Sequence, residues 1–394
     1  MKKNQIKYTC LLVVILVFSG CTDFLTEKPV DFRSSENSFK DKESVYSGVL
    51  GLYQLYTDLY IHKTTPFIGE LGTDESIASA NQAGLSAIYR YSLTSNDLYV
   101  LPDWYAIHYK LISSCNSLID RVNTNFPAPD QDILRMLGEA KALRAWAYFR
   151  LVQTFGPVPL VTKEMMSDID WNVGRAPVKD IYAQIVTDLT EATVTGVLPA
   201  TKDAKDPIRI SNYVAKAMLG KVYLTMASTK ETGIVDDLLS KISRSDWGYS
   251  KITETPKELY QKAEEVLTDI KNNAGISLEP DYRKLFVAEY KNQFAENMWE
   301  LQASDGKATA NPNRGFYFLY NYGIAVGNSM VTAYNAIWQK YVMFAPALML
   351  RGMQTINNQV VYVGGYEESD KRKPWVLSGG RMVTDAQNVA HPQY

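Results

Sequence analysis

Apolar residues recur at three- and four-residue steps along six stretches of the chain, and the pattern fails between them. Ser38 to Tyr60 is the first, with Val45, Val49, Leu52, Tyr53 and Tyr56 on one side. Trp104 to Asn123 follows, and Gln131 opens a third helix that reads to Phe155. There Ala140, Leu143, Ala147 and Leu151 share a face, widened by Ala142, Ala145 and Phe149. Trp146 and Tyr148 add bulk at its flanks. Gly156 is predicted at positive φ as the left-handed C-cap, and Pro157 forces an exit, so 157–160 should leave as an extended strap. Pro177 starts the next helix, striped by Ile181, Ile185 and Leu189. Ser211 is placed to cap a helix from Asn212 to Ser228. Tyr260, Ala263 and Leu267 mark the last. Pro66 to Pro102, Met165 to Pro177 and Thr229 to Ile252 read as loops or insertions.

The spacing also repeats. Ala145, Phe149, Val152 and Pro157 match the second helix of a tetratricopeptide repeat. Trp104, Ile107, His108 and Leu111 match first-helix offsets, as do Tyr260, Ala263, Glu264 and Leu267. Three imperfect helix pairs predict a mostly α fold, an irregular tetratricopeptide-like scaffold over 37–277. Its insertions are too long for a regular solenoid. From Leu278 the texture changes. Residues 304–329 are rich in Gly and Asn and interleaved with aromatic residues. Residues 278–394 therefore read as a loop-rich second half of the same domain.

Composition adds an address. Lys2, Lys3 and Lys7 precede an apolar run from Leu11 to Phe18, too short to span a bilayer and suited to a signal peptide over 1–20. Ser19-Gly20-Cys21 resembles a bacterial lipoprotein processing site, in which the cysteine becomes the acylated N-terminus. Residues 21–36 would then be a lipidated tether. With Cys10 removed and Cys21 lipidated, Cys115 is left without a disulfide partner and reads as core. Net charge of −2 and a pI near 6.0 give no basic footprint, which argues against nucleic acid as a partner.

Catalytic motifs are sparse. His62, His108 and His391 lie far apart in sequence and fit no metal pattern. Asp168, Asp170 and Asn172 alternate like a calcium loop, but the glycine is displaced to Gly174 and Lys179 replaces the chelating Glu. Neither a metal nor a cofactor is expected. Acidic pairs such as Asp74 with Glu75, or Glu367 with Asp370, read as solvated surface rather than glycosidase carboxylates.

The unusual number is tyrosine: 26, against 13 Phe and 7 Trp. A flat ring with a polar tip suits wet contact surfaces. Sugar rings have apolar faces and hydroxyl rims, so loop aromatics beside Asn, Asp and Arg make candidate glycan contacts. The candidates are Tyr91, Tyr99, Trp104, Tyr320, Tyr322 and Trp338, with Asp74, Asn96, Asn313 and Arg314 as polar partners. Trp104 and Trp338 sit in helical patterns, where packing is the competing reading.

The string Glu139-Ala-x-x-Leu143-Arg144-Ala-x-Ala147-Tyr148-Phe149, continuing through Phe155-Gly156 to Val158-Pro159-Leu160, resembles the signature of the SusD/RagB family of outer-membrane nutrient-binding lipoproteins. Tyr109, Ile112, Asn116, Leu118 and Ile119 are similar to another of its runs. So are Glu70 to Glu75, Asp281 to Phe286, Glu296 to Gln302 and Asp370 to Arg372. The resemblance implies a SusD-like fold and a non-enzymatic lipoprotein of the outer membrane, facing outward and anchored in lipid through Cys21. It implies capture of a glycan and delivery to a SusC-type TonB-dependent transporter. A helical scaffold without a small ligand and a peptide-binding member of the family are the alternatives. Family members continue past the equivalent of Tyr394, which leads to the expectation that the second half is incomplete.

Overall fold

The computed structural model describes residues 38–61, 76–78, 87–88, 90–92, 94, 101–165, 172–203, 206–233, 235, 241, 247–281, 284 and 296–299. It also describes the backbone of strands within 342–393. Six helices of fifteen residues or more carry the described part: α1 (Lys42–Ile61), α2 (Leu101–Asn125), α3 (Gln131–Phe155), α4 (Val178–Ala192), α5 (Asn212–Thr232) and α6 (Pro256–Asn273). Each packs on the next in the chain, and α3 also reaches back to α1. Only the α2–α3 connection, 126–130, is short; the longer connections carry the loops and insertions.

The helix ends follow local chemistry. Asp130 caps α3 by accepting the Ile133 N–H at 3.1 Å, and Lys42 pairs with both Asp130 and Asp132. Thr255 and Glu258 form a reciprocal capping box on α6, with Pro256 opening the first turn. Pro102 lies inside the first turn of α2, where a missing N–H is tolerated, so the helix starts one residue before the proline that ends the predicted loop. Ser211 stands at the N-cap of α5, but its side chain makes no capping bond there and is buried. The helix runs on to Thr232, where Gly233 closes it at φ 57°.

The stripes read from the sequence are the core. Val45, Val49, Leu143, Ala147, Leu151, Ile181, Ile185 and Leu189 have almost no accessible surface. Tyr148 is fully buried as well, rather than flanking the core. Cys115 is buried among them, and that burial pushes its thiol well above the ordinary range, consistent with an inert packing role. The α5–α6 approach depends on Gly220: a Cβ there would lie 2.8 Å from Leu267 Cδ2.

Gly156 ends α3 at φ 65°, its N–H reaching Val152 O at 3.0 Å. Its ψ of −124° departs from the left-handed helical basin and turns the chain straight into an extended segment. Trp247, from the segment after α5, covers the bare face of Gly156 and accepts the Val178 N–H on its carbonyl at 2.9 Å. The end of the insertion between α5 and α6, from Trp247 on, is thus docked onto the scaffold, with Tyr249 and Ile252 buried.

Four two-stranded antiparallel pairs are described. β2 (Val158–Pro159) pairs with β3 (Arg175–Ala176). β5 (Met353–Ile356) pairs with β6 (Gln359–Tyr362), and β7 (Arg381–Thr384) with β8 (Ala390–Gln393). β1 (Ser76–Ala78) pairs with β4 (Val342–Phe344), Ile77 opposite Met343. That last pair joins the early loop to the second half. Trp299 makes a second tie, stacking on Tyr56 at 4.7 Å and donating to Ile208 O at 2.6 Å. Among the described residues, no helix is long and apolar enough to cross a membrane.

Candidate functional site

The extended strap leaving Gly156 is held by side chains. Beyond the short β2–β3 ladder its half-buried carbonyls have no strand partners, a costly state for backbone. Polar groups from α2 and α3 meet them instead. Tyr109 donates to Pro159 O at 2.6 Å, and Tyr148 donates to Val161 O at 2.7 Å while accepting the Val161 N–H at 2.8 Å. Asn116 donates to Val161 O and Lys163 O at 2.9 and 3.2 Å. Arg144 donates to Thr162 O at 3.1 Å and to Asn116 Oδ1 at 2.8 Å. At the far end Asp120 accepts the Glu164 N–H, and Arg121 and Ser117 hold the Glu164 carboxylate.

One buried charge cluster anchors this clamp, and a second lies one turn earlier on α3. Arg144 makes a two-pronged contact with Asp188 of α4 at 2.7 and 2.8 Å, both side chains nearly inaccessible. Glu139 accepts from Arg135 Nε at 3.0 Å and from Arg209 Nη2 at 2.9 Å. Burial pushes its carboxyl above the ordinary range, and the two guanidiniums oppose the shift. Next to it, Tyr53 of α1 accepts the Ile210 N–H at 2.8 Å. The polar residues of the sequence signature are therefore a strap clamp and a helix tie. Charged residues on the apolar face of a helix pattern were the available signal for them.

The predicted contact residues divide in two. Tyr91 is on the surface, 81% exposed, with Arg90, Ser92 and Thr94 also exposed around it. Trp104 is corrected: it has no accessible surface, donates from Nε1 to Thr154 Oγ1 at 3.3 Å and packs edge-on against His108. A ring closed in on all sides has no face to offer a sugar, and the i, i+4 pair with His108 keeps it in the α2–α3 core. Asp74, Asn96, Tyr99, Asn313, Arg314, Tyr320, Tyr322 and Trp338 lie outside the described residues, as do Cys21, Asp168 and Asp170.

Two cavities open among the described residues. A groove of about 390 Å³ runs between α1 and α2, floored by Gly48, Gly51, Ser113, Ser114 and Ser117. A pocket of about 290 Å³ lies between Tyr46, Arg135 and Arg209 at the N-terminal ends of α1 and α3. Neither is lined by a predicted contact residue. No group of three or more potential metal ligands converges among the described residues.

A helical scaffold with a side-chain-clamped strap defines a class, and comparison with known proteins gives its family. The family described as starch-binding associating with outer membrane, SusD-like, matches residues 23–224. The chain belongs to the SusD-like family. SusD-like protein P25 of Formosa agariphila is 24% identical over 231 residues, covering 54% of this chain and 42% of that protein. A SusD-like protein of Bacteroides ovatus is 23% identical over 291 residues, covering 73% and 47%. Among solved structures, a laminarin-binding SusD-like protein aligns with TM-score 0.54 at 25% identity, covering 68% of this chain and 52% of its own. A SusD superfamily protein of Bacteroides thetaiotaomicron aligns with TM-score 0.56 at 19% identity, covering 77% and 60%. The chain spans about half the length of the curated relatives it matches.

Proposed function

We propose that this protein captures a glycan at the cell surface and passes it to a partner SusC-type TonB-dependent transporter in the outer membrane. It is anchored there through acylated Cys21 and faces outward. The observation that carries the reading is the family match over residues 23–224, to a family described as starch-binding and outer-membrane-associated. The laminarin-binding relative in the same fold supports a glycan as ligand class. The β1–β4 pair adds support, because Asp74 lies just before β1 and Trp338 just before β4. That ladder ties two segments distant in sequence, each adjoining a candidate contact residue. The role is binding rather than catalysis.

Exposed stacking supplies modest energy, so affinity should be weak, about micromolar to millimolar. Affinity electrophoresis against starch, laminarin and other neutral polysaccharides, with a peptide library in parallel, tests the ligand class. Binding only to peptides would replace the glycan, and binding to neither would favour a scaffold role. Cys21→Ala should release the protein from the outer-membrane fraction and abolish co-purification with a transporter from membranes. A Cys21→Ala protein that still fractionates with the outer membrane in high salt would refute the anchor.

A further inference from the structure

The groove between α1 and α2 has small residues for a floor and apolar side chains for walls. Gly48 and Gly51 form its α1 side, with Ser113, Ser114 and Ser117 on the α2 side. Leu52, Leu55, Leu118 and Met165 supply the apolar surface. A Cβ added at Gly51 would meet nothing within 4 Å, so the groove stands open there. A floor of this kind lets a second main chain approach closely.

One wall of the groove belongs to the residue at which the described chain begins its approach to α1. Phe39 lines it, with its ring against Gly48. Its φ of 62° turns the chain at this point. Asn125 of α2 holds the turn by donating to Phe39 O at 2.9 Å. The chain that precedes it therefore arrives beside the groove. The family match begins at residue 23 and takes in that preceding segment together with the helices. Within it, Val30-Asp31-Phe32-Arg33 alternates apolar and polar residues, the pattern of an extended segment with one buried face. Extended chain covers about 3.3 Å per residue, so Val30 and Phe32 can reach any part of a groove that follows roughly 10 Å of α1.

We propose that residues 29–36 of this chain dock in the α1–α2 groove as an extended segment. Val30 and Phe32 lie on the apolar walls, and Asp31 and Arg33 face water. The serine hydroxyls meet main-chain groups that no strand ladder pairs. Under the anchor reading above, docking shortens the free tether to residues 21–28. The scaffold is then held close to the lipid on a fixed side, where an undocked tether would let it swing on a longer flexible leash. The docking itself stands on the groove and the segment, whether or not the lipid is present.

The test is trypsin cleavage after Arg33, timed by mass spectrometry. It uses the full mature chain, both lipidated and as Cys21→Ala, with a synthetic peptide of residues 22–37 as the undocked reference. Arg33 should be cut at least about tenfold more slowly in the protein than in the peptide, because cleavage follows the undocked population. Gly51→Leu fills the groove and is favoured over glycine in a helix, so it should keep a cooperative melt and bring cleavage near the peptide rate. Phe32→Ala, outside the helices, should do the same and serves if Gly51→Leu fails to fold. Peptide-like cleavage in the wild-type protein would overturn the proposal. So would protection that neither variant removes, since the segment would then lie elsewhere. Protection lost on dilution would place the segment on a second copy, and protection seen only in co-purified transporter complexes would give the groove to that partner; either result overturns docking within one chain. Protection in Cys21→Ala as strong as in the lipidated chain supports docking even if the anchor reading fails.

Discussion

Gly156 shows how a single position carries both a backbone rule and a packing rule. The sequence predicts positive φ from the Gly-Pro stop, and the structure has it at 65°. What the sequence did not show is Trp247, whose Cε3 would stand 2.5 Å from an added Cβ. The contact comes from a segment some ninety residues later, so no local pattern encodes it. Gly156→Val is therefore expected to cost about 2–4 kcal/mol, above the strain of φ alone. A double-mutant cycle with Trp247→Ala separates the two terms. If the steric term is real, Gly156→Val should cost less in the Trp247→Ala background, by urea unfolding. Additive effects would leave backbone strain as the whole cause. Trp104 shows the converse: its type and helical setting suited either a platform or a core, and only burial decided.

At the scale of elements, the strap and its clamp explain why polar residues sit on buried helix faces. Val158 to Glu164 crosses α2 and α3 without a full strand ladder, so Tyr109, Asn116, Arg144 and Tyr148 complete its hydrogen bonds. Asp188 then neutralises Arg144 from α4, linking three helices through one guanidinium. Breaking a buried pair from one side leaves an uncompensated charge. Asp188→Ala should cost about 3–5 kcal/mol, measured by urea unfolding. Asp188→Leu combined with Arg144→Met removes both charges and should recover part of that loss, though the strap carbonyl of Thr162 then loses its donor. An Asp188→Ala protein as stable as wild type would show that the pair is a passenger. The helices themselves were readable, since their apolar spacing is local. The clamp was not, because the sequence gives residue types without saying which carbonyls lack partners.

For the whole molecule, the titrating groups predict how stability responds to acid. Lys42 holds Asp130 below its usual value, Lys262 does so for Glu254, and Lys216 for Asp269. The Thr255 N–H lowers Glu258. A carboxylate depressed in the folded state stabilises above its unfolded pKa, and that contribution is lost as pH falls through the folded value. Glu139 is raised, so its contribution has the opposite sense: present in acid and lost as pH rises through its folded value. Among the described residues, four depressed carboxylates act against one raised. The urea midpoint should therefore hold near neutrality and fall as pH drops below the ordinary Glu and Asp values of 4.5 and 3.8. A midpoint that rises on acidification would show Glu139 to dominate. The family resemblance, the six helices and the Gly156 turn were all present in the sequence, because each depends on spacing over a few residues. Tertiary structure alone decided that Trp104 is closed off, that Tyr91 stands outward at positive φ, and that β1 meets β4 across more than two hundred and sixty residues. Exposure and long-range pairing depend on how all the elements pack together, and no window of sequence contains that.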